Sequence, residues 1–99
     1  FIPLVTLSTE WEQIFAESII ENGEERQLSM APSQLQNFIN NVRTVMDDYS
    51  EKGESPVMLT SPAIRPFVRS IVERFRPETE IMSQNEIHPK AKIKTLGQI

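Results

Sequence analysis

Pro56-Val57-Met58-Leu59-Thr60 runs straight into Ser61-Pro62-Ala63-Ile64-Arg65-Pro66-Phe67-Val68-Arg69-Ser70-Ile71-Val72-Glu73-Arg74-Phe75-Arg76-Pro77. The first five residues form a continuous apolar run bounded by turn residues, the pattern of a strand covered on both faces. Ser61-Pro62 is a cap followed by a first-turn proline. Ile64, Phe67, Val68, Ile71, Val72 and Phe75 then recur at helical spacing. Pro66 has no N–H to give the carbonyl of Pro62, so the first turn is expected to be irregular and the regular helix to start near Pro66. Pro77 stops it. A buried strand feeding an amphipathic helix is the half-unit of an α/β layer.

The flanking sequence extends the same alternation. Glu80-Ile81-Met82-Ser83 reads as a further strand, Ile87-His88-Pro89 as a turn, and Lys92-Ile93-Lys94-Thr95-Leu96 as a final edge strand with lysines that discourage pairing. Upstream, Leu35, Phe38, Ile39, Val42, Val45, Met46 and Tyr49 hold helical spacing from Ala31-Pro32 to near Gly53, the strongest periodic signal in the chain. Leu4-Val5-Thr6-Leu7 is a short strand. Thr9-Glu10-Trp11-Glu12 fits a capping box, opening a helix whose face carries Trp11, Ile14, Phe15, Ser18 and Ile19. Asn22-Gly23 either caps this helix or makes a hairpin turn; the helical period before it favours the cap. Gln27 to Met30 is a candidate edge strand. The expected fold is α/β: a small mixed sheet of about four strands flanked by three helices, in one subdomain spanning residues 1–99.

Composition limits what such a unit can do. At 99 residues the chain suits one small domain; with 24% charged and 38% hydrophobic residues, it is globular material and not a disordered tail. There is no cysteine, which removes disulfides, thiolate nucleophiles and Cys-based metal sites. No apolar stretch reaches membrane-spanning length and no signal-peptide pattern opens the chain. It begins Phe1-Ile2-Pro3 without an initiator Met and reads as a piece of something longer. Residues 1–55 carry ten acids against three bases and residues 56–99 four acids against seven bases, net −7 and +3. That asymmetry is read either as oppositely signed faces that steer a partner or as two ordinarily solvated surfaces.

Catalytic chemistry finds little footing. His88 is the single histidine, short of the three or four ligands a zinc site needs. Ser83, Glu86 and His88 are neighbours in sequence, which is not evidence for a triad assembled from distant segments. The pairs Glu24-Glu25 and Asp47-Asp48 do not face each other on a helix. Three glycines cannot build a phosphate loop. Arg65, Arg69, Arg74 and Arg76 are the most suggestive charged group, with Arg65 and Arg69 on one helix face. They suit an acidic protein surface or a neighbouring subdomain better than nucleic acid, which calls for a basic domain with interleaved exposed aromatics. Trp11 and Phe15 could anchor an interface, but their spacing suits a core. Unaided, these residues describe a small non-enzymatic α/β domain without cofactors; a generic ligand- or nucleic-acid-binding module is the competing reading.

The segment Pro56 to Gln98 narrows this. Ser61, Pro62, Ile64, Arg65, Pro66, Arg69, Glu73, Arg74, Phe75, Pro77, Ser83, Asn85, Glu86, Ile87 and Pro89 stand at the spacing of the pattern SP-x-IRP-x-x-R-x-x-x-ERF-x-P…S-x-NEI-x-P. This resembles the C-terminal end of the FlhA/LcrD/InvA family of export-gate proteins, and the IHPKAKIKTLGQI ending resembles flagellar more than virulence members. The resemblance implies a multi-span parent in the bacterial inner membrane, with a four-subdomain region on its cytoplasmic face that assembles into a nonameric ring. Export chaperone–substrate complexes and other export-apparatus proteins would dock there, this chain being the last subdomain and itself not crossing the membrane. Arg65, Arg69 and Arg74 are then candidate contacts to a partner or neighbouring subdomain. Ser83, Asn85 and Glu86 would fix the turn after a strand.

Overall fold

The structure is a computed structural model that describes all 99 residues. Strand β1 (Ile2–Thr6) leads into helix α1 (Thr9–Ser18), then strands β2 (Ile19–Asn22) and β3 (Glu25–Leu28), helix α2 (Pro32–Glu51), strand β4 (Val57–Thr60), helix α3 (Arg65–Val72), strand β5 (Ile81–Ser83) and strand β6 (Ile93–Gln98). Four strands form one sheet in the order β5-β4-β1-β6, and every pairing in it is parallel. The antiparallel component of the expected mixed sheet is separate: β2 and β3 pair only with each other.

The core lies on one face of the parallel sheet. Val5, Met58 and Ile81 are in register across β1, β4 and β5, so their side chains share that face. They join one buried cluster with Phe15 of α1, Phe38, Val42 and Met46 of α2, and Val68 and Val72 of α3. The opposite face carries Leu4, fully buried, and Thr6, Val57, Leu59 and Met82, which are half-buried and outside the cluster. The expectation that the Pro56–Thr60 strand is covered on both faces therefore holds fully on one side and in part on the other. Within the core, Phe38 meets Trp11 and Phe15 edge-to-face with ring centroids 5.2 and 4.9 Å apart. Phe15 is fully buried in this interior, and the half-buried Trp11 packs against it.

Proline and glycine set the bounds of α2 and the start of α3, whereas the signals around α1 shift. Helix α2 starts at Pro32 and ends where Gly53 N–H bonds the Ser50 carbonyl and Glu54 N–H the Tyr49 carbonyl, the paired bonds of a Schellman motif. The expected irregular turn precedes α3: residues 62–64 form a turn, and the regular helix begins at Arg65. Its α-helical part stops at Val72, and the Glu73-Arg74-Phe75 continuation tightens into turns.

Two expectations are corrected. The cap of α1 is Ser8, whose Oγ accepts from Trp11 N–H at 3.3 Å, one residue before the Thr9 box; Glu12 is engaged elsewhere. Asn22-Gly23 is a hairpin turn and not a helix C-cap. The helix ends four residues earlier at Ser18, and Asn22 pairs with Glu25. Gly23 has φ +70° at the first central position of the two-residue loop, where a type II′ turn requires glycine. The apolar period could not show this, because Ile19 also satisfies a strand.

Candidate functional site

Parallel strands deliver their carboxyl ends to one edge of the sheet, the edge at which open α/β folds gather their functional loops. Here that edge brings together Ser8 after β1, Ser61 after β4, Ser83 closing β5 and Ile99 after β6. Backbone bonds lace it: Leu7 N–H donates to the Leu59 carbonyl, Ser8 N–H to the Ile99 carbonyl and Ile99 N–H to the Thr6 carbonyl.

Two carboxylates organise the loops. Glu12, in the first turn of α1, receives the Ser61 N–H on Oε1 at 2.9 Å and the Ser61 hydroxyl on Oε2 at 2.6 Å. The serine of the Ser61-Pro62 pair is thus a donor to α1 and not the expected side-chain cap of α3, whose N-cap residue is Ile64 and which has no side-chain cap bond. Glu86 closes the single 3-10 turn Gln84–Glu86 by reaching back to Ser83, accepting its N–H and its hydroxyl, each at 3.0 Å. The same carboxylate is ion-paired with Arg65, the first residue of α3. The Arg65 Nε is buried and forms no hydrogen bond of good geometry, so this ion pair is its compensation for leaving water. The Ser83 N–H holds the Glu86 carboxyl below its ordinary range; desolvation opposes this, and the Ser83 hydroxyl and Arg65 charge reinforce it.

The sequence-selected residues therefore separate. Ser83 and Glu86 form the turn latch, while Asn85 is exposed beside it. Arg65 is drawn inward into that latch instead of presenting its charge to solvent. Arg69 stays exposed and lies 3.9 Å from Glu73. Arg65 and Arg69 share a shallow groove of about 410 Å³ with Glu73, Glu78 and Glu80. Arg74 lies in a different groove, beside Arg26. Arg76, whose role the sequence left open, ties α2 to the turn after α3 through Asp47, Ser50 and Thr79. His88 accepts the Lys90 N–H at 3.1 Å and makes no bond to Ser83. Glu12–Ser61 escaped sequence reading because its partners are 49 residues apart and each fitted a plausible local role.

This arrangement stands beside known proteins as follows. The FHIPEP family model matches residues 1–92. The chain belongs to the FHIPEP family. FlhA, the flagellar biosynthesis protein of Caulobacter vibrioides, is 54% identical over 98 residues, which cover 99% of this chain and 14% of that protein. This FHIPEP chain accordingly spans about one seventh of the length of the curated relatives it matches. Among solved structures, the CdsV protein of Chlamydia pneumoniae superposes with a TM-score of 0.86 at 26% identity, over 99% of this chain and 28% of that one. The C-terminal domain of InvA superposes with a TM-score of 0.87 at 24% identity, over 99% and 30%, which shows the shared fold. The FHIPEP pattern read in the sequence maps onto the carboxyl edge: its Ser-Pro and Asn-Glu-Ile elements are the two loops that Glu12 and Glu86 fasten.

Proposed function

We propose that this chain is the C-terminal subdomain of the cytoplasmic region of a flagellar protein export gate, a single unit over residues 1–99 that acts by docking and not by catalysis. The observation that carries the proposal is the 54% identity with FlhA along the whole chain. Nonameric assembly is described for EPEC SctV-C and for the EscV cytosolic domain, and a complex with CdsO for CdsV. Carried over, the longer parent forms a ring platform on the cytoplasmic face of the inner membrane, where export chaperone–substrate complexes and other apparatus proteins dock. No helix of this chain is long and apolar enough to cross a membrane, so attachment is assigned to the parent.

The geometry supports a rigid binding unit. Of the serine hydroxyls at the carboxyl edge, those of Ser61 and Ser83 donate to carboxylates that also hold backbone N–H groups, and that of Ser8 accepts from the Trp11 N–H, so all three are engaged in fastening the loops. Arg65 serves the latch, and Arg69 and Arg74 remain as contacts for a partner or neighbouring subdomain. The nucleic-acid alternative is weakened because Arg65, Arg69 and Arg76 already face carboxylates.

The test is replacement of the matching segment of Caulobacter vibrioides FlhA by this chain, followed by soft-agar motility of cells that lack their own FlhA. Swimming at near the parental rate is expected. A hybrid that accumulates normally but leaves cells non-motile refutes the assignment.

A further inference from the structure

Four grooves mark the surface, and only one is lined by cations without any carboxylate. It has a volume of about 370 Å³ and lies between the β2–β3 hairpin, the start of α2 and one side of α3. Leu28, Met30, Leu35, Phe67 and Ile71 form an apolar floor, each half-buried. Arg26 and Arg74 stand on its rim, and neither has an acid within ion-pairing distance, although the chain as a whole is acidic. The Arg26 guanidinium lies 5.8 Å from the Phe67 ring centroid, which holds it over the floor.

We infer that this groove docks one face of an acidic amphipathic helix. Phe67 and Ile71 are one helical turn apart, so the floor runs along the axis of α3 and offers a ridge that a second helix can straddle. Arg26 stands over the Phe67 end and Arg74 lies just beyond Ile71, so the two cations bracket the stripe. That spacing fits carboxylates about two turns, roughly 10 Å, apart on the partner. Between them, apolar side chains at i and i+4 enter the floor, the pattern of helix-in-groove recognition. The unpaired arginines select sign: an acidic helix gains charge-assisted bonds at the rim, and a basic one meets repulsion. The inference rests on the groove alone and stands apart from the export-gate reading.

The experiment measures fluorescence anisotropy of two labelled, end-blocked helical peptides against the 99-residue chain. Both carry the same leucine stripe; one has glutamates flanking it and the other lysines. The glutamate peptide is expected to bind more tightly by about tenfold or more, with affinity falling as salt rises. Arg26→Glu with Arg74→Glu, both at exposed positions, is expected to reverse this preference while the thermal transition is retained. Equal binding of the two peptides to the unmodified chain, absence of binding by either, or a preference unchanged in the double variant overturns the inference. Comparison of the two peptides on the unmodified chain decides the matter even if the variant fails to fold.

Discussion

Removal of the Glu12 carboxylate is the sharpest probe of how the carboxyl edge is held. Glu12→Ala strips two partners from Ser61, its N–H at 2.9 Å and its hydroxyl at 2.6 Å. Hydrogen bonds to a charged group contribute about 1.5–3 kcal/mol each, and the half-exposed setting lets water replace part of that, so a loss of about 2 kcal/mol is expected. For a domain of this size that lowers Tm by roughly 10 °C. Glu12 also lies in the first turn of α1, where any acid favours the helix dipole by about 0.3–1 kcal/mol. Glu10→Ala isolates that contribution, because Glu10 shares the turn and is exposed. Glu12→Gln keeps one acceptor oxygen and should lose about half as much as alanine. Urea titrations followed by the emission of Trp11, the single tryptophan, supply the stabilities. A double-mutant cycle with Ser61→Ala should give a coupling of about 1 kcal/mol. Glu12→Ala no worse than Glu10→Ala, together with zero coupling, would refute a clasp between α1 and the Ser61 loop.

Two further perturbations address the same edge. A Cβ at Gly97 would collide with the Tyr49 hydroxyl, which donates to the Leu96 carbonyl at 2.6 Å. Gly97→Ala should therefore destabilise by about 1–3 kcal/mol, and Tyr49→Phe should recover part of that loss; additive costs in the double variant would contradict a steric cause. Glu86 has its folded carboxyl held below the ordinary 4.5, so its contribution is present above that value and lost as pH falls through the lower folded one. Acid titration of stability should fall below about pH 4.5, and Glu86→Gln should flatten that limb; superimposable pH profiles would show that the latch contributes nothing.

Periodicity and punctuation made much of this molecule legible in the sequence. The apolar run Val57–Thr60, the stripe of α2 and the Pro66-delayed start of α3 are local facts: side-chain spacing decides which face can be buried, and proline decides where a helix can begin. The Ser83–Glu86 turn is equally local, since a three-residue separation can be closed within one turn. Asn22-Gly23 was not, because its residues satisfy a cap and a hairpin equally well, and only pairing with Glu25–Leu28 settles the choice.

The sequence by itself determined an α/β chain with a strand–helix–strand second half, without thiol chemistry, carrying a family pattern dense enough to identify. The tertiary structure alone decided that the main sheet is wholly parallel, that Glu12 fastens Ser61, that Arg65 turns inward to Glu86, and that Arg74 joins Arg26 at an apolar groove. The physical reason is range. Propensity and period act over a few residues, whereas an ion pair or a groove forms where the packed core sets down segments that are distant along the chain, and no local pattern records that distance.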